Sequence, residues 1–360
     1  MAVSADQGAT PSAGRRSPEE KLVTSLIALM EAGTTPWRRP WDDSSGGHHV
    51  NLLSGRRYRG SNPALLSFGM HLRGSTLPFW CGFAEARARG LVPRRGSQAV
   101  HVLRPQVIQT RDAGAQSGSS SGPATPDAAP EASEHRQADG SSAGPCRVLY
   151  RPVPVFNAAD LEGAALAELV RARRGKAARE RRPEQERLLS AEALLQRWPV
   201  PVISGGERAC YDPDADRIHL PEHGAFHSAA AHVATWAHEA IHSTGHPSRL
   251  ARDLSGVMGA GEKHGRAYAR EELVAELGAV LLGERLEIGS DTQNHAAYLS
   301  HWIAMLRESP HLLLTLLSQA RKAADLICPE PPPGANTPAG AEGTTATDDE
   351  GSLEEGADER

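Results

Sequence analysis

Cysteine is scarce in this chain. Four occur in 360 residues, Cys81, Cys146, Cys210 and Cys328, far apart and without a Cys-x-x-Cys pair. That excludes a cysteine-based zinc finger and a disulfide-dense scaffold, and fits a reducing cytoplasm. Aromatic residues make up only 4% of the chain. No apolar run approaches the roughly 20 residues of a membrane-spanning helix, which excludes an integral helical membrane protein. The opening MAVSADQGATPSAGRRS has no apolar core of the kind a secretory signal needs, so the expected location is cytoplasmic. Large apolar residues are nearly missing from 1–16, 112–145 and 328–360. These stretches cannot bury enough surface to offset chain entropy and are expected to be disordered.

Charge is present but segregated. The formal net charge is −5, yet residues 329–360 hold nine acids and one Arg, so the rest of the chain is net positive. Residues 36–104 carry eleven Arg against three acids. A basic N-terminal region and an acidic tail nearly cancel. The tail is a candidate competitor for the basic face.

Between the disordered stretches the pattern predicts an α+β chain of two domains. Ser17, Pro18 and Glu20 form a capping-box start for a helix whose stripe is Leu22, Val23, Leu26, Leu29 and Met30, with Gly33 as its stop. NLLSGRRYRG reads as a hairpin turning at Ser54–Gly55, followed by helices near 62–72 and 80–89. Residues 99–103 and 147–156 read as strands flanking 112–145, which makes that segment an insertion within one domain of 17–163. Residues 164–198 read as a charged helical connector, and 199–327 as the second domain.

The second domain holds the most specific motif. His238-Glu239-x-x-His242 sets two imidazoles one helical turn apart, able to share a zinc ion, with Glu239 placed to take a proton from water at the metal. Ser228 is the expected cap of this helix, and Val233, Trp236, Ala237, Ala240 and Ile241 its packing face. A catalytic zinc takes a third protein ligand. YAREELVAELGAVLL offers Glu271, Glu272 and Glu276 at the start of a helix whose stripe is Leu273, Leu277 and Val280. Glu272 is the expected ligand and Glu276 the carboxylate that orients a ligand histidine. A surface Glu paired with Arg270 or Arg285 is the competing reading of these acids. Upstream, ACYDPDADRIHLPE reads as a hairpin turning at Asp212-Pro213-Asp214, with Arg217–Leu220 as a return strand whose edge is expected to hold an extended peptide. A zinc that only staples the domain is the alternative, and Glu239 argues against it.

The first domain interleaves Arg38, Arg39, Arg56, Arg57 and Arg59 with Trp37, Trp41, Tyr58, Phe68, Phe79, Trp80 and Phe83; Arg94 and Arg95 follow on a later turn. Arg forks bind phosphates and aromatic faces stack unpaired bases, which suits single-stranded DNA. Aromatics that build a small core under solvating arginines explain the same composition, as does a basic face for an acidic protein.

TPWRRPW, NLLSGRRYRGSNPALL, FWCGFAEARARGLVPRRGSQAVHV and VFNAADLEG, followed by YDPDADRIHLP, HEAIHSTGHPSRL, YAREELVAELGAVLL and NHAAYLSHWIAML, resemble in order the ArdC-type antirestriction proteins. The likeness covers about 17–327 apart from 112–145. It implies an N-terminal single-stranded-DNA-binding domain and a C-terminal zincin-like metallopeptidase domain. It also implies carriage on mobile elements and protection of incoming DNA from restriction. Carried onto this sequence, it implies Zn2+, or another divalent ion such as Mn2+, on His238, His242 and Glu272. It places Arg38, Arg39, Trp41, Arg56, Arg57, Tyr58, Arg59, Asn62, Arg94 and Arg95 toward DNA. A protein or peptide substrate follows if the site is catalytic; a structural or regulatory metal without peptidase activity is the alternative. The chain departs from the family at Glu85-Ala86, where Gln-Ala is usual, and at Arg95-Gly96-Ser97, where Lys-Gly-Glu is common.

Overall fold

The computed structural model describes residues 17–33, 47–109, 146–254, 265–289 and 298–330. The expectations for 1–16, 112–145 and the acidic tail beyond Glu330 fall outside these residues, as do Trp37, Arg38, Arg39 and Trp41.

The first domain begins with α1 (Pro18–Glu31). Ser17 Oγ accepts the Glu20 N–H at 3.1 Å, and the Glu20 carboxylate accepts the Ser17 N–H at 2.8 Å, closing the capping box. Strand β1 (Val50–Asn51) turns sharply because the Asn51 side chain accepts the N–H groups of Leu53 and Ser54 at 3.0 and 2.8 Å. The return is a single bridge from Val50 to Arg57. Helix α2 (Asn62–Arg73) follows, ended by Gly74 in the left-handed region.

The helix expected at 80–89 is half strand. Phe79–Gly82 forms β2, parallel to β1 and antiparallel to a later strand, with Phe79, Trp80 and Cys81 buried. Pairing on both sides outweighs the helical reading. Only Phe83–Ala88 is helical, as α3, where the Glu85 carboxylate reaches back to the Gly82 N–H at 3.2 Å. Strand β3 (Val92–Pro93) is next.

β4 (Val100–Gln109) and β5 (Cys146–Asn157) pair antiparallel from Val100↔Val155 to Gln109↔Cys146, so 110–145 joins neighbouring strands of one sheet. The sheet order is β1-β2-β5-β4, and β3 pairs separately with β6 (Leu161–Glu162).

The connector is two helices, α4 (Leu166–Glu180) and α5 (Glu184–Leu195), interrupted ahead of Pro183. Leu166, Leu169 and Val170 of α4 pack on the first domain, and Arg173 donates to the carbonyls of Leu52 and Leu53. Ala191 and Leu195 of α5 are buried in the core of the second domain.

That domain opens with β7 (Val202–Ser204), β8 (Cys210–Asp212) and β9 (Arg217–Leu220), in the order β7-β9-β8. Strand β9 therefore has no edge to offer: β7 pairs with it in parallel and β8 antiparallel. The sequence expectation missed β7, whose three residues have no partner within the hairpin. Helices α6 (Ala229–Ser243), α7 (Arg266–Leu286), α8 (Leu299–Glu308) and α9 (Leu312–Ile327) complete the domain. One core crosses both domains: Val23, Leu26, Met30, Leu65 and Phe68 belong to the same buried cluster as Ile241, Leu277, Trp302 and Leu316.

Candidate metal centre

The centre is built where α6 meets α7. Ser228 caps α6 by accepting the Ala231 N–H at 3.1 Å. Small residues let the helices approach: a Cβ on Gly278 would lie 2.7 Å from Cγ2 of Ile241. This close crossing brings the first turns of α7 against the last turns of α6.

His238, His242 and Glu272 meet there, all buried. The Nε2 atoms of the two histidines are 3.1 Å apart. One Glu272 carboxylate oxygen lies 3.4 Å from Nε2 of His242 and the other 3.7 Å from Nε2 of His238. The outer ring nitrogens each face a different carboxylate. Nδ1 of His242 is 3.1 Å from Glu271, and Nδ1 of His238 is 3.9 Å from Glu276. The Glu271 carboxylate behind Nδ1 of His242 holds the proton there and turns that ring's Nε2 lone pair inward.

Glu276, the carboxylate expected to orient a ligand histidine, lies near His238 at ion-pair distance. Glu271 makes the closer contact, and the sequence reading assigned it no role. Arg252 fixes Glu271 with two bonds of 2.9 and 2.7 Å and donates also to Thr244 Oγ1 and the Ile241 carbonyl. Arg252 lies in the loop after α6, where no spacing marks it. Tyr268, one turn before Glu272, was missed too. Burial and the Glu272 charge push its hydroxyl well above the ordinary tyrosine range, so it stays protonated and bonds to Glu272.

The electrostatics ask for a cation. Burial alone would lower the His242 pKa, but hydrogen bonds to Glu271 and Glu272 and the charges of Glu272 and Glu239 raise it to about 10. Burial pushes the Glu239 carboxyl up to about 7, helped by Glu272 and opposed by His242 and a hydrogen bond from the Tyr211 main chain on β8. Glu239, Glu271, Glu272 and Glu276 are all at most 7% exposed. Carboxylates buried at this density need compensating positive charge. Two imidazole nitrogens and a carboxylate are the N and O donors that zinc and other divalent first-row ions take. The residues fit a divalent ion.

The expected DNA residues do not form one class. Arg56, Arg94 and Arg95 are exposed. Arg57 is half-exposed, with Nη2 3.8 Å from Glu287. Arg59 is partly buried. Tyr58 is partly buried against the sheet core, and burial raises its hydroxyl pKa well above the usual range. The Asn62 amide is committed to the main chain of Leu103, donating at 3.0 Å and accepting at 2.7 Å. Phe68, Phe79 and Trp80 are core residues. Phe83 is 48% exposed, at the head of α3. Beside it Glu85 accepts from the Asn51 amide at 3.0 Å, so the acid at this departure from the family also braces the β1 turn.

Comparison with known proteins agrees with this division. Residues 17–139 match a family model described as the N-terminal domain of anti-restriction factor ArdC, and 189–319 match one described as a zincin-like metallopeptidase. A DNA primase TraC of Escherichia coli is 34% identical over 318 residues, covering 86% of this chain but 27% of the primase. The chain thus spans about a quarter of that relative. An uncharacterized protein, y4eC of Sinorhizobium fredii (strain NBRC 101917 / NGR234), is 29% identical, covering 85% of this chain and 90% of its own length. Crystal structures of the antirestriction ArdC protein from plasmid R388, metal-free and Mn(II)-bound, superpose with TM-scores of 0.56 and 0.55 at 27% and 26% identity. Each match covers 86% of this chain and 96% of the crystallised one.

Proposed function

We propose that this chain, which matches the N-terminal domain of anti-restriction factor ArdC over 17–139 and a zincin-like metallopeptidase over 189–319, is an ArdC-type antirestriction protein that binds single-stranded DNA through the first domain and hydrolyses a peptide bond in the second. The observation that carries the hydrolytic reading is a buried Glu239 beside the convergent His238, His242 and Glu272. A structural zinc site is closed by four protein ligands and needs no such base.

His238, His242 and Glu272 would hold a zinc ion, which when bound supplies Lewis acidity toward a carbonyl oxygen and toward water. The chain's own groups do the rest. Glu271 keeps the Nδ1 proton of His242 in place, Glu276 sets a negative charge behind His238, and Tyr268 steadies Glu272. Glu239, poised near neutrality, takes a proton from water at its carboxylate oxygen and returns it to the departing amine nitrogen. Its hydrogen bond from Tyr211 sets the carboxylate against β8, an outer strand of the β7-β9-β8 sheet. An extended peptide added beside β8 would pass this carboxylate.

DNA binding is supported by the exposed Arg56, Arg94 and Arg95 and by Phe83, whose ring is open for stacking. The experiment separates the two activities. Glu239→Gln should retain zinc, bind single-stranded DNA as the parent does, and lose both peptide hydrolysis and protection of incoming DNA. Protection that survives this change would make hydrolysis dispensable. Affinity of the full chain for an unstructured oligonucleotide should fall steeply with salt, with a log–log slope of about −0.7 per phosphate contacted. Arg56→Ala should flatten the slope by about that amount. No binding at low salt would overturn the DNA reading.

A further inference from the structure

A second group of metal-ligand side chains lies outside this centre. Glu192 on α5, His223 in the short turn His223–Ala225 and His232 on α6 each offer a ligand atom within 4.8 Å of the other two. Glu192 Oε1 is 4.0 Å from Nδ1 of His232. The rings of His223 and His232 have centroids 4.8 Å apart and are inclined at 50°. Nδ1 of His232 is shielded from water and makes no hydrogen bond, although its side chain is held by Phe226 edge-on at 5.1 Å. A sheltered imidazole nitrogen that makes no hydrogen bond, beside a carboxylate and a second imidazole, is poor design for a hydrogen-bonded core. It is a good arrangement for coordination.

We propose that Glu192, His223 and His232 form a second zinc site, which ties the connector helix α5 to the loop that launches α6. Two imidazole nitrogens and one carboxylate oxygen are a donor set zinc accepts, with a water in the fourth position. Two ligands at about 2.1 Å from one tetrahedral ion stand about 3.4 Å apart. The three atoms, within 4.8 Å of one another, therefore close by up to roughly 1.4 Å on binding. His223 supplies that movement: it is exposed, in a three-residue turn beside Gly224, whose Cβ position meets nothing within 4 Å. One ion cannot serve both places. His232 precedes His238 by six residues, about 9 Å along the axis and about 240° around it, so the two sites open on different faces of α6.

The test is zinc content by mass spectrometry on the full chain, after equilibration with zinc chloride and desalting. Wild type is expected to hold two zinc ions. His223→Ala, at an exposed position that leaves the core intact, and Glu192→Gln should each hold one. His238→Ala should hold one, and His223→Ala with His238→Ala none. Zinc should raise the melting temperature of His238→Ala but not of the double variant. Two ions retained by His223→Ala overturn the proposal, as does a wild-type content of one or none that His223→Ala leaves unchanged. A single ion lost in His223→Ala and kept in His238→Ala supports this site and counts instead against the first centre.

Discussion

A residue that touches no metal holds the first centre in register. Arg252 spans Glu271 with its fork while bonding Thr244 and the Ile241 carbonyl, so one guanidinium locks the end of α6 to the start of α7. Arg252→Met keeps the stem but leaves Glu271 buried beside His242 without its counter-charge. Zinc affinity is expected to fall about 10–100-fold, with a loss of stability of about 3 kcal/mol. Arg252→Lys should recover only part, because a point charge cannot make both bonds. Zinc competition titration and urea denaturation read the two effects, and an unchanged affinity in Arg252→Met would remove Arg252 from the centre. Residues on one helix were legible beforehand: His238, Glu239 and His242 announce themselves by a four-residue spacing. Glu272 was legible as an acid on an apolar stripe. Arg252, and the division of labour between Glu271 and Glu276, follow from how a loop returns across two helices, which no periodicity encodes.

Between elements, the crossing of α6 and α7 depends on an absent side chain. Gly278→Ala places a Cβ 2.7 Å from Ile241 Cγ2, so the helices must part. Overpacking of this kind costs about 1–3 kcal/mol. The parting also draws Glu272 away from His238. Zinc affinity and melting temperature should fall together, the latter by roughly 2–10 °C. Combined with Ile241→Ala, which opens space at the same contact, the loss should be less than the sum of the two singles. Strict additivity would show that the contact does not set the crossing. Helices with caps were readable in the sequence, α1 and α6 above all, because Ser17 and Ser228 act within one turn. Strands were readable where a turn was adjacent, as at β8 and β9, or where an apolar run bordered a compositionally biased segment, as at β4 and β5. Phe79–Gly82 looks helical alone and becomes β2 because β1 and β5 flank it, and β9 became a central strand because β7 arrives from outside the hairpin.

For the molecule as a whole, two domains were legible from composition and motifs, but not that they share a core and a polar junction. His48, just before β1, places its ring nitrogens 3.0 Å from Glu284 and 3.0 Å from Glu287 near the end of α7. Arg182 of the connector donates to Glu287 at 3.0 Å, and Arg57 stands 3.8 Å away. Burial alone would raise the Glu287 pKa, but His48 and Arg182 outweigh it and hold it at about 2. Burial alone would lower the His48 pKa, but Glu284 and Glu287 outweigh it and hold it above its ordinary 6.5. Each shift has its own window. The depressed Glu287 contributes stability above its ordinary 4.5, lost as pH falls toward about 2. The raised His48 contributes stability below 6.5, lost as pH rises through its folded value. The junction is therefore strongest between about 4.5 and 6.5. In urea, with chelator present so that metal release is common to both proteins, the stability gap between wild type and His48→Ala should be widest near pH 5.5. It should narrow progressively as pH rises above 6.5, because the neutral ring keeps one N–H to share between two carboxylates. A gap that is constant from pH 5.5 to 9 would mean that His48 joins the domains by packing, with no charge across the junction.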